Sequence, residues 1–182
     1  MNRYLIFLIL SIPVILISRK SLLKIKSHGF FRFFAWEGIV WVFSSNYTYW
    51  FVDPFCLRQI ISWLLLIISV YLVAAGVILM TKKGKPHKDR NEDNLFEFEK
   101  TTELVDTGIF SYIRHPLYAS LLYLLWAIFL KHPDLEGAIV TVVSSAFLYF
   151  TAAYDEKECI AYFGDSYIQY KKKTRMFIPY IF

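Results

Sequence analysis

Two groups of residues in this chain have the types and spacing to do chemistry on a small charged molecule. The first lies in residues 108–118, Gly-Ile-Phe-Ser-Tyr-Ile-Arg-His-Pro-Leu-Tyr, where a guanidinium, Arg114, and an imidazole, His115, directly precede a proline and an apolar run. Proline fixes its own φ and has no N–H, so it fits the first turn of a helix, where that donor would lack a partner anyway. A helix is therefore predicted from Pro116. Its first turn exposes backbone N–H groups and the positive end of the helix dipole beside Arg114 and His115, a corner suited to an anion. The second group is Asp155 and Glu156, in the run Asp155-Glu156-Lys157-Glu158 that closes another apolar stretch. A cation and a helix N-terminus on one side, with carboxylates and a helix C-terminus on the other, would match the carboxylate and ammonium of an amino-acid zwitterion. Tyr112, Tyr118, Tyr149, Tyr154 and Tyr162 add ring faces for an organic cation. The same residues also fit plainer roles: Arg114 as an anchor for lipid phosphate, His115 as a helix cap, and the tyrosines as a membrane belt.

Other chemistries find no support. His28, His87, His115 and His132 lack metal-ligand spacing and there is no Cys-x-x-Cys, so no metal is expected. No Gly-rich phosphate loop, dinucleotide fingerprint or Gly-x-Ser-x-Gly elbow occurs. Cys56 and Cys159 fall at opposite membrane faces in the topology below and read as packing residues.

The elements that must position these groups are membrane helices. The 182 residues are 57% hydrophobic and 19% aromatic, too apolar for a soluble domain and enough for a single one. Basic residues fall in short clusters between apolar runs, the pattern of membrane loops rather than of a nucleic-acid surface. Apolar segments are predicted at 4–18, 33–52, 60–80, 117–130 and 135–154, about five transmembrane helices of an all-α protein. The first has its charges after the apolar core, at Arg19, Lys20, Lys24 and Lys26, and reads as a retained anchor. In the second, Glu37 is expected to pair with Arg32, about a turn away. Asn46-Tyr47-Thr48 matches a glycosylation acceptor but lies in an aromatic segment and is read as accidental. Residues 81–107 form a solvated loop whose later part, 95–106, is a short surface helix or strand. Residues 131–134 are too few to do other than make the last two helices antiparallel neighbours. An amphipathic section with Phe163, Gly164, Tyr167 and Tyr170 then leads to a basic tail. With the N-terminus outside, 17 of the 20 Lys and Arg fall on the cytoplasmic side, leaving Arg3, Arg58 and Lys131 outside. The chain thus divides into three N-terminal spans (1–80), a cytoplasmic loop (81–107), and a helical hairpin with a cytoplasmic amphipathic tail (108–182), all one integral-membrane domain.

Gly108-Ile109-Phe110, Arg114-His115-Pro116, Tyr118, the acidic pair, Phe163-Gly164, Tyr167, Tyr170 and Pro179 together resemble the membrane methyltransferases typified by isoprenylcysteine carboxyl methyltransferase and the phospholipid N-methyltransferases. The likeness covers about residues 103–180. It implies S-adenosylmethionine bound at the cytoplasmic ends of the last two spans and a lipophilic acceptor entering from the bilayer. It further implies His115, Tyr118, Tyr154, Asp155, Glu156 and Tyr167 as cofactor contacts, with Arg114, His115, Glu156 and Arg175 in the chemistry. Asp155 stands where the family's first Glu is usual, Phe110 where Tyr is frequent, and Arg175 one residue early. A carboxylate acceptor would need no base and could be oriented by Arg114 or Arg175, whereas an amine must lose a proton, to His115, Asp155 or Glu156. The competing readings are a sterol-type NADPH-dependent membrane reductase, which shares an Arg-His-Pro region, and a non-enzymatic protein that binds anionic lipid or a partner.

Overall fold

The computed structural model describes residues 2–87 and 95–181, so residues 88–94 of the expected solvated loop lie outside the described residues. Six α-helices follow one another: α1 (Arg3–Leu22), α2 (His28–Asn46), α3 (Leu57–Lys83), α4 (Pro116–Phe129), α5 (Leu135–Phe163) and α6 (Asp165–Lys173). Single 3₁₀ turns lie at Tyr47–Tyr49, Glu97–Glu99 and Gly108–Ser111. Among the described residues the extended structure is one backbone bridge, between Ile113 and Arg175.

Local signals start and stop these helices. Ser27 caps α2 by accepting from Phe30 N–H at 3.3 Å, Asp134 caps α5 by accepting from Gly137 N–H at 2.6 Å, and Pro116 opens α4. Gly164 ends α5 at φ 61°, a left-handed value that glycine adopts without strain, and lets the chain turn into α6. The α5 helix does not end at the acidic run, as the sequence suggested; it continues about two turns further, to Phe163. Residues 95–106, expected as a short helix or strand, form only the Glu97–Glu99 turn, with Glu99, Thr101 and Val105 buried.

α4 is the centre of the bundle, packed against α2, α3 and α5; α2 lies along α5, and α1 lies outside against α2. Small polar side chains join neighbouring helices where lipid would offer no partner. Ser62 and Ser69 of α3 donate to the Ala127 and Ser120 carbonyls at 2.7 and 2.8 Å, and Asn46 donates to the Ile128 carbonyl at 2.9 Å. That buried amide is no glycan acceptor. Outward faces are apolar, including Leu8 and Ile12 of α1, Ile67 and Val70 of α3, and Ile139 and Val142 of α5. By length and composition α1, α3 and α5 are able to cross a membrane. α4 is apolar but has 14 residues, roughly 21 Å of helix against a hydrocarbon core of about 30 Å.

α2 and α5 pack tightly at Gly38, where an added Cβ would run into Ser144 Oγ and come within 2.9 Å of Ser144 Cβ. Gly38→Ala is therefore expected to cost about 1–3 kcal/mol by overpacking. Thermal unfolding in detergent should show the loss, and Ser144→Gly, which removes both clashing atoms, should restore most of it.

Candidate active site

The chemistry-bearing residues meet where the N-terminus of α4 passes the second half of α5. The chain before α4 is held there by the tail: Arg114 N–H donates to the Arg175 carbonyl at 2.7 Å, Arg175 N–H to the Tyr112 carbonyl at 3.1 Å, and His115 N–H to the Met176 carbonyl at 3.2 Å. The Tyr170 hydroxyl donates to the Phe110 carbonyl at 2.7 Å, and Phe177 is buried with its ring 6.4 Å from that of His115. A tail of α6 plus residues 174–177 thus clamps the Arg-His-Pro turn onto the bundle.

His115 takes the N-cap position of α4, yet its side chain makes no capping hydrogen bond. It is 5% exposed, its ring lies near-parallel to Tyr118, 5.5 Å between centroids, and its Nδ1 is 3.3 Å from Asp155 Oδ2. Nε2 is 3.4 Å from Glu156 Oε1 without hydrogen-bond geometry, and is buried without a partner. Burial would lower the basicity of this imidazole; the adjacent Asp155 and Glu156 carboxylates outweigh it and raise the pKa above the ordinary value. Burial pushes the phenols of Tyr167 and Tyr170 far up, so both stay protonated donors.

Arg114 and Glu156 do not face each other across an open site as the two halves of a zwitterion trap. Arg114 Nε donates to Glu156 Oε1 at 2.7 Å, with both side chains under a tenth exposed, and Arg114 Nη1 also donates to the Thr174 carbonyl. Lys171 Nζ joins Glu156 Oε2 from α6. One buried carboxylate therefore ties together the turn before α4, α5 and α6, and the charge left facing open space comes from His115 and Asp155.

That space is a cleft of two connected lobes that share Met80, Phe110, Arg114, His115, Asp155 and Cys159. Glu99 and Tyr118 line one lobe, Val105, Phe163, Tyr167 and Tyr170 the other. The lobes span about 480 and 440 Å³, counting the part open to solvent. Of the residues expected to contact the cofactor or take part in the chemistry, the cleft gathers Arg114, His115, Tyr118, Asp155 and Tyr167, with Glu156 bound to Arg114 behind it. Two fall elsewhere. Tyr154 stacks on Phe31 at 4.8 Å, on the side of α5 that faces α2. Exposed Arg175 lines a separate surface groove with Ser111, Tyr112, Lys172, Lys173 and Tyr180. Sequence reasoning missed Met80, Glu99, Thr101 and Cys159, since an apolar helix end, a polar loop and a lone cysteine give no local sign of lining a cleft.

A bundle with lipid-type outer faces and, at one end, a largely apolar cleft that carries His115 and Asp155 is the architecture of a helical membrane protein. Residues 57–166 match the phospholipid methyltransferase family model, and the chain belongs to that family. It is 33% identical over 95 residues to protein-S-isoprenylcysteine O-methyltransferase of Schizosaccharomyces pombe, covering 50% of this chain and 36% of that protein. It is 30% identical over 133 residues to the Xenopus laevis protein of the same name, covering 69% of this chain and 43% of that protein. It is also 28% identical over 74 residues to methanethiol S-methyltransferase 1 of Bradyrhizobium diazoefficiens, covering 40% of this chain and 25% of that protein. The chain thus spans less than half the length of these relatives. No solved structure matches it.

Proposed function

We propose that this protein is an integral-membrane methyltransferase that uses S-adenosylmethionine to methylate a lipophilic carboxylate or amine at the cytoplasmic membrane face, the whole chain acting as one domain with its N-terminus outside. The observation that carries this is the cleft itself: a buried His115 with an unpartnered Nε2, the Asp155 carboxylate beside it, and walls of Met80, Phe110 and Tyr167. These groups fit an amino acid joined to a sulfonium and an adenine, because Asp155 suits an ammonium, His115 a carboxylate, and the aromatic walls an organic cation or a base. The bound donor supplies a methyl group whose transfer removes positive charge from sulfur.

The chain's own residues contribute position and exclusion of water. Tyr118 stacks under the His115 ring and fixes its plane. The tail clamp keeps the turn before α4 in place and closes one side of the cleft. Arg114 is already engaged by Glu156 and by backbone carbonyls, so it acts as a brace rather than as a free anion receptor.

The test is titration of the purified chain in detergent with S-adenosylmethionine. At 100 times its dissociation constant the ligand should stabilise the fold by about 2.7 kcal/mol, read as a rise in melting temperature. NADPH should give none. Absence of any shift or heat with S-adenosylmethionine would overturn the proposal. Methyl-labelled donor with membrane lipid extract then sorts the acceptor, since a methyl ester releases its label in mild base and an N-methyl group keeps it.

A further inference from the structure

His28, the first residue of α2, is fully buried although it lies far in sequence from every residue that lines the cleft. Glu158 of α5 gives it both carboxylate oxygens: Oε1 accepts from the His28 backbone N–H at 3.2 Å and Oε2 lies 2.6 Å from Nδ1. The imidazole Nε2 is buried without a hydrogen-bond partner. One turn back along α5, Asp155 offers an oxygen, and ligand-type atoms of His28, Asp155 and Glu158 all lie within 4.8 Å of one another. Asp155 is the same carboxylate that stands 3.3 Å from His115 Nδ1. Because Glu158 already engages the His28 side chain and backbone, these groups read as an alternating series of carboxylate, imidazole, carboxylate and imidazole rather than as a cage around a cation, with Asp155 acting on His28 by charge at close range and Nε2 making no hydrogen bond to it. It runs from Glu158, 23% exposed, to the cleft.

We propose that His28 is a positioning residue of the cleft, acting on His115 through the charge of the Asp155 carboxylate, which stands close to both imidazoles. Two imidazoles flanking one carboxylate compete for it: when His28 is protonated, Asp155 is drawn towards α2 and stabilises a proton on His115 less, and when His28 is neutral, Asp155 serves His115 alone. The charged groups around His28 are Asp155 and Glu158 from α5 and Arg32 from its own helix, the last bound to Glu99. Those around His115 are Asp155 and Glu156, with Arg114 and Lys171 reaching Glu156 from behind. The functional consequence, that α2 sets the charge of the donor site, rests on the methyltransferase reading; the coupling itself does not.

The experiment is ring-labelled histidine NMR of the full chain in detergent micelles across pH, with each of the four histidines assigned by substitution. His28→Asn keeps an N–H at the position of Nδ1, and with it the hydrogen bond to Glu158, but has no titrating charge. The His115 midpoint should rise by about half a pH unit in His28→Asn, and the His28 midpoint should rise in His115→Asn. In Asp155→Asn the two should titrate independently of each other. A His115 midpoint that stays put, or that falls, in His28→Asn overturns the proposal, the first by showing no coupling and the second by showing that His28 merely props Asp155 in place. S-adenosylmethionine titration of wild type and His28→Asn at two pH values gives the second readout. The ratio of the two affinities should depend on pH, whereas a uniform loss would mark a packing role. Failure of the wild type to bind S-adenosylmethionine would sink the functional reading and leave the NMR result to decide the coupling.

Discussion

Glu156→Gln is expected to abolish S-adenosylmethionine binding and to cost about 3–5 kcal/mol of stability, because it removes the charge that holds Arg114, Lys171 and His115 in one place. Most of that cost belongs to Arg114, which is under a tenth exposed and would keep its charge with only backbone carbonyls as partners. Lys171 is nearly half exposed and loses little, since water takes over. A variant that fails to fold would also fail to bind, so the pair Arg114→Gln with Glu156→Gln separates the causes. Removing both charges leaves no buried ion uncompensated, and the double variant should be more stable than Glu156→Gln alone. If binding stays at least about a hundredfold weaker in that refolded background, roughly 2.7 kcal/mol, the cation–carboxylate brace is part of the binding geometry and not only of the fold. The pH dependence has a definite sign. His115 has its pKa raised in the folded protein, so its contribution to stability is fully present below its ordinary value of 6.5 and is lost as the pH rises through the folded value. Wild-type melting temperatures should fall across that window, and His115→Asn should flatten the slope.

Glu99→Ala is expected to destabilise by a similar amount, about 3–5 kcal/mol, for the same physical reason at a different place. Arg32 of α2 donates through Nη1 to both Glu99 oxygens, at 3.1 and 3.2 Å, and its guanidinium lies 5.1 Å from the ring of Trp36 and 4.6 Å from that of Phe96. Both partners are under a tenth exposed. The two rings, worth roughly 2 kcal/mol or less between them, do not replace the carboxylate. Arg32→Met with Glu99→Met should recover most of the loss, since apolar groups of similar volume replace a buried pair at little cost. Chemical unfolding in detergent micelles distinguishes the outcomes, and equal destabilisation by the single and double variants would refute a buried ion pair. Glu99 also lines both the His115 cleft and an apolar groove with Trp36, Phe96, Phe98, Leu117 and Leu121. The double variant should therefore also change how apolar ligands enter.

The pairing expected from sequence was Arg32 with Glu37, a turn apart. Instead Glu37 accepts from Ser11 Oγ of α1 at 2.6 Å and Arg32 reaches 67 residues along the chain. Proximity in sequence is a poor guide here because a helix presents residues a turn apart to the same neighbour only when that neighbour lies along the whole face. α2 is flanked by α1 on one side and by α4 and α5 on the other, so its two charges were separated between different partners.

The sequence by itself determined what depends on short-range rules. Apolar runs of sufficient length and proline at the start of α4 defined the helices, and the turn at residues 131–134 made α4 and α5 neighbours. From those alone Arg114 and His115 belonged at the same end of the bundle as Asp155 and Glu156. Only the tertiary structure decided which of these residues touch. The rotation of α5 about its axis turned Asp155 towards His115 and Tyr154 away to Phe31. The stagger of α2 against α5 brought His28 to Glu158, 130 residues away, and the return of the tail left Arg175 on a different surface. Helix rotation and stagger are set by packing summed over whole faces, and no local pattern encodes them. The sequence supplied the charges of the site; the bundle determined that Arg114 and Glu156 neutralise each other and that His115 and Asp155 face the cleft.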